Sequence, residues 1–101
     1  MARVDHAIRL NPAYVEAFTN RGLARAPQGD INGALEDYDA AIELRPADPY
    51  AHFNRAGIRA RRGDHSGAIA DLQTYLDSGA GIRDGDQAAV ERLIADYRSR
   101  L

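Results

Sequence analysis

Residues 20–34 read NRGLARAPQGDINGA, and residues 54–68 read NRAGIRARRGDHSGA. The two stretches lie 34 residues apart, so that Asn20-Arg21, Arg25-Ala26, Gly29-Asp30 and Gly33-Ala34 fall on Asn54-Arg55, Arg59-Ala60, Gly63-Asp64 and Gly67-Ala68. Further out, Ala7-Ile8, Leu10 and Pro12-Ala13 fall on Ala41-Ile42, Leu44 and Pro46-Ala47 at the same shift. A constant period of this length marks stacked supersecondary units, each needing a neighbour to bury its apolar face.

Within each period the punctuation is that of a helix hairpin. Gly29 and Gly63 suit the left-handed residue that ends a helix, and Asp30 and Asp64 are placed to cap the next one. Asn11-Pro12 and Arg45-Pro46 close the apolar-periodic segments between units. Ile31, Leu35, Tyr38 and Ile42 recur at helical spacing, as do Ala68, Ile69, Leu72, Tyr75 and Leu76, and then Val90, Leu93, Ile94, Tyr97 and Leu101. The pattern predicts six helices over about 2–10, 13–27, 31–45, 47–62, 65–78 and 86–100. Ser78-Gly79-Ala80-Gly81 reads as an irregular break, with Asp84 or Asp86 as the cap of the last helix. Turns this short force neighbouring helices antiparallel. The fold class is all-α.

Composition narrows the function classes. The chain has 101 residues, 45% apolar and 28% charged, with a formal net charge of −2. One small, soluble domain with a modest core is expected. The charge gives no reason to expect nucleic acid or an anionic membrane. No apolar run approaches the ~20 residues of a membrane span, and no secretory stretch opens the chain, so a cytoplasmic location is expected. Cysteine is absent, which removes disulfides and thiolate metal sites. His6, His52 and His65 share no ligand spacing, His6 and His65 reading as solvated, and the serines lack a nucleophile context. Neither an enzyme nor a cofactor is expected.

Phe18-x-x-Arg21-Gly22-x-x-Arg25, then Ala34-x-x-x-Tyr38, then Pro46 resembles the tetratricopeptide repeat, whose signature spaces large, small and aromatic positions over two helices. The next copy reads His52-x-x-Arg55-Ala56-x-x-Arg59, Ala68-x-x-x-Leu72 and Ala80. The resemblance implies a right-handed superhelical stack of antiparallel hairpins, about six helices with a C-terminal capping helix. It divides the chain into a half repeat at 1–12, repeats at 13–46 and 47–80, and the capping helix at 84–101. Arg21 and Arg55 stand at a leucine-like position of the family, Arg25 and Arg59 at a tyrosine. Because a half-buried arginine needs an anion, Arg21 is expected to pair with Asp37, and Arg55 with Asp71, within a unit or across to its neighbour, the alternative being direct contact of the arginines with a ligand.

The resemblance also implies where a partner is held. First helices of successive units line a concave groove, and Asn20 and Asn54 match asparagines that hydrogen-bond a ligand's backbone. An amide suits that role because it both donates and accepts. Thr19, Leu23, Tyr50, Phe53 and Arg61 are expected on the same face, with Glu16 and Gly57. Of the adjacent rings His52 and Phe53, one is expected to point outward. The lysines of the family's carboxylate-gripping variant are replaced by Thr19 and Tyr50, so that activity is not carried over. The function implied is a protein-interaction scaffold that binds an extended peptide or partner helix. The alternative is homo-oligomerisation as a fragment of a longer solenoid, through Met1, Val4 and Ile8 of an unpaired first helix.

Overall fold

A computed structural model describes residues 13–101. The described residues form six α-helices: α1 Ala13–Arg25, α2 Ile31–Leu44, α3 Pro49–Arg61, α4 His65–Asp77, α5 Ala80–Asp84 and α6 Gln87–Ser99, with a 3₁₀ turn Ala26–Gln28 after α1. Backbone contacts divide the chain into a unit that ends at Pro46 and a second from Ala47 to Leu101. The first contains the hairpin α1–α2. The second contains the hairpin α3–α4, then α5 and α6 packed on α4.

The sequence echo has a local physical cause at each hairpin turn. Gly29 and Gly63 take φ of 88° and 83°, a left-handed conformation that costs a side-chain-bearing residue strain. Asp30 and Asp64 follow as N-caps, accepting hydrogen bonds from the Gly33 and Gly67 amides at 3.0 and 2.9 Å. A Cβ at Gly33 or Gly67 would crowd the capping carboxylate, which would have to shift to admit it. Asp48 caps α3 in the same way, accepting from the Ala51 amide at 3.0 Å, and Pro49 supplies the first turn. That moves the start of α3 two residues beyond the sequence expectation.

Small residues on α1 and α3 let the paired helix approach. Gly22 lies under the Tyr38 ring, where a Cβ would come within 2.6 Å of the aromatic carbon. Ala56 is its buried counterpart, and Ala34 and Ala68 are fully buried on the facing helices. In the second unit Ala56, Ala68, Leu72, Tyr75, Ala80, Val90 and Ile94 form one buried cluster, flanked by Phe53, Ala60, Ile69, Leu76 and Tyr97. Each large apolar side chain buried there contributes about 1.5–3 kcal/mol.

The second unit departs from the echo at Tyr75, which stands where the first unit has Ala41. Its buried ring crosses the core, and its hydroxyl donates toward Asp86 at 2.8 Å, with Asp84 at 3.2 Å. Burial, reinforced by those two carboxylates, raises the Tyr75 pKa far above its ordinary value, so the hydroxyl keeps its proton as a donor. Asp86 does precede α6 as its cap residue, but its side chain serves Tyr75 instead of the helix amides. The expected break at 78–81 is in part helical: α5 runs between left-handed Gly79 and Gly85 and places Ala80 and Gly81 against the core.

Candidate interaction surface

Three and four residues along a helix return to the same face, so Arg21 and Arg25 on α1, and Arg55 and Arg59 on α3, form matched pairs. Each pair closes on one buried carboxylate. Arg21 donates to Asp37 through Nε at 3.0 Å and Nη2 at 2.7 Å, and Arg25 Nη1 lies 3.3 Å from the same group. Arg55 donates to Asp71 through Nε at 3.0 Å and Nη2 at 2.8 Å, and Arg59 Nη1 donates at 3.2 Å. The fork geometry of guanidinium on carboxylate fixes both angle and distance, which a lysine at these positions would not do. The participation of Arg25 and Arg59 was not anticipated, although their i,i+4 spacing from Arg21 and Arg55 signals it.

The two clusters differ at one echo position. His52 is buried, and its Nδ1 lies 2.8 Å from Asp71 Oδ1. Its counterpart Phe18 instead underlies the Arg21 guanidinium, 5.6 Å from ring centre to carbon. The Arg55 side chain is 15% exposed and that of Arg21 53%, so the second cluster is the drier one. Burial pushes the Asp71 pKa up, but hydrogen bonds from Arg55 and His52, with the charges of Arg55 and Arg59, outweigh it and hold the group below its ordinary value.

The opposite face of α1 and α3 carries the residues expected to meet a partner. On α1, Glu16, Asn20 and Leu23 are all exposed at i, i+4 and i+7. On α3, Tyr50, Gly57 and Arg61 are exposed in the same register, with Asn54 half-buried between them. Among the described residues neither the Asn20 nor the Asn54 amide has a hydrogen-bond partner. Tyr50 stands edge-on to Tyr75 at 6.2 Å, leaving 44% of its surface in solvent. Apart from its chain neighbours and its own helix backbone, nothing lies within 4 Å of where a Cβ on Gly57 would stand, so no packing partner requires a glycine there.

Three expectations are corrected. Thr19 is buried, and its hydroxyl donates to the Val15 carbonyl at 3.1 Å, one turn back on its own helix, so it is not part of an exposed face. Neither ring of the 52–53 pair points outward. Adjacent helical residues are about 100° apart, which lets His52 reach Asp71 while Phe53 is half-buried against Tyr75, with ring centres 4.8 Å apart. His65 is the first residue of α4, half-buried with its ring 5.7 Å from Tyr97, not a solvated turn residue. Met1, Val4, His6 and Ile8 lie outside the described residues.

Among the described residues no group of three acidic or histidine side chains could hold a metal ion, and no helix is long and apolar enough to cross a membrane. A family model for the tetratricopeptide repeat matches residues 2–49 and, in a second placement, residues 19–81. No curated protein matches the chain.

Proposed function

The chain belongs to the tetratricopeptide-repeat family of non-catalytic interaction scaffolds, and we propose that it binds an extended peptide or a partner helix along the exposed faces of α1 and α3. The observation that carries this reading is the repeated, unpartnered asparagine. Asn20 and Asn54 occupy the same position of successive units, and each offers a donor and an acceptor that no described protein group uses. Such an amide reads a peptide group whatever its side chain, so each unit offers one contact of this kind. On this reading residues 13–46 and 47–80 are the two full repeats, and α6 is the capping helix.

Side-chain selection would come from the positions where the two faces differ. Exposed Leu23 occurs in the first unit where Gly57 occurs in the second, and Tyr50 occurs where Glu16 does. Gly57 is the informative member. An exposed glycine inside a helix costs roughly 0.5–1 kcal/mol relative to alanine, and no packing constraint in its own unit offsets that cost. The reading treats Gly57 as a notch beside Tyr50 and Asn54 that admits a bulky ligand side chain. Gly57→Ala is therefore expected to raise the unfolding free energy by about 0.5–1 kcal/mol in urea titration. Gly57→Leu, which installs the first unit's residue, is expected to weaken ligand binding while the fold persists.

The test is selection of binders from a random peptide display library on the intact chain, followed by affinity measurement with Asn20→Ala/Asn54→Ala. Loss of about 2 kcal/mol or more of binding energy at unchanged melting temperature is expected, from two charge-free hydrogen bonds. Peptides that bind the double variant as tightly as the parent would sink the asparagine reading.

A further inference from the structure

Apart from the asparagine faces, a groove opens between α4 and α6 within the second unit. Its volume is about 310 Å³, and it is lined by Gln73, Leu76 and Asp77 from α4 and by Gln87, Glu91, Ile94 and Arg98 from α6. The α6 residues fall at i, i+4, i+7 and i+11, so one stripe of that helix forms one wall. The half-buried Leu76 and the buried Ile94 close the groove from beneath, and the surface it presents is almost wholly polar.

Three acceptors in this groove lack a matching cation. Glu91 has no hydrogen-bond or ion-pair partner among the described residues, and Asp77 receives only the neutral Gln73 amide, at 2.9 Å. Arg98, though it lines the same groove, pairs with neither carboxylate. Gln87 Oε1 is buried without a hydrogen-bond partner, the one such side-chain atom among the described residues. It lies against Gly81, where a Cβ would come within 2.7 Å of it, so the carboxamide is seated on bare backbone. A buried acceptor left unmatched is destabilising, and rotation of the amide toward an entering donor would relieve it.

We propose that the α4–α6 groove is a binding subsite for an arginine side chain of a protein partner. The guanidinium, not the stem, would make the contacts, because the groove presents almost wholly polar surface. The planar guanidinium, with five donors in a fixed fork, would bridge the Asp77 and Glu91 carboxylates and give Gln87 a partner. Two carboxylates against one guanidinium leave the groove net negative, which supplies the charge complementarity. The subsite does not depend on α1 or α3, so it stands or falls separately from the asparagine faces.

The probe is the tripeptide acetyl-Ala-Arg-Ala-amide, titrated into the isotopically labelled intact chain and followed by amide resonances. Saturable shifts at the Gln73 and Gln87 side-chain amides and along Glu91 are expected, with a dissociation constant of roughly 1–10 mM for so small a ligand. Replacing the arginine by neutral, isosteric citrulline should weaken binding at least about fivefold, as should Glu91→Gln or Asp77→Asn in the protein. Arg98→Ala, which removes the like charge, should strengthen it. Citrulline binding as well as arginine, unchanged affinity in Glu91→Gln and Asp77→Asn, or a non-saturating drift at all surface carboxylates alike would each overturn the proposal. The Asn20→Ala/Asn54→Ala variant should bind the tripeptide as the parent does.

Discussion

Replacing Asp71 with alanine is expected to cost about 3–5 kcal/mol, enough to unfold much of a domain this small at ambient temperature. The carboxylate is buried and receives Arg55, Arg59 and His52 at once. Its removal takes away the one buried carboxylate that both guanidiniums and the imidazole share, and the Arg55 side chain is mostly out of water. Asp37→Ala removes the equivalent carboxylate of the first unit but should cost less, about 1–3 kcal/mol, because the half-exposed Arg21 is free to return to water. Urea titration of the two variants side by side measures the difference. Equal costs, or a cost for Asp71→Ala below about 1 kcal/mol, would contradict the seam described here.

The same group predicts the direction of the acid response. Asp71 has a folded pKa below its ordinary value, so its stabilisation is complete above the ordinary carboxylate pKa, near about 4. It is lost as pH falls through the lower folded value. The parent chain should therefore lose stability on acidification below about pH 4, and Asp71→Asn, less stable at neutral pH, should show a shallower decline over that window.

The second large effect is expected at Tyr75. Tyr75→Ala should cost about 3–5 kcal/mol, as removal of a buried aromatic does, because the ring packs on Phe53 and Tyr50 and fills the centre of the second unit's core. Tyr75→Phe keeps the ring and removes only the hydroxyl that holds Asp84 and Asp86. Its cost should be about 0.5–1.5 kcal/mol, since Asp84 is exposed and turns to water. Hydrogen exchange separates the two roles. In Tyr75→Phe the amides of the 79–86 segment, including the Asp86 amide that donates to the Gly81 carbonyl, should lose protection while the α4 interior keeps it. Unchanged protection in that segment would show that the hydroxyl does not anchor the turn.

What was legible in the sequence follows from how local each cause is. The hairpins were readable because their ends are set by neighbours in the chain: a left-handed glycine followed by a capping aspartate. The carboxylate–arginine pairs were readable because a charge on one helix face must be matched on the facing helix, and both members repeat. By contrast, α5 is five residues between two left-handed glycines, too short to show a period. Thr19 was placed on the wrong side because family position, without burial, does not show that a hydroxyl can bond its own helix. The Tyr75 anchor was hidden because its partners lie at the end of α5 (Asp84) and just after it (Asp86), where no repeat constrains the chain. The α4–α6 groove depends on how α6 settles on α4, a tertiary matter that no short-range pattern encodes.

On the proposed function, the unpartnered amides of Asn20 and Asn54 meet a ligand. The most direct measurement follows their side-chain amide resonances in the labelled chain while a display-selected peptide is added at controlled pH and salt. Both amide pairs should shift saturably, together with backbone signals at Leu23, Tyr50 and Gly57. Tight binding that leaves both asparagine amides unmoved would contradict that reading.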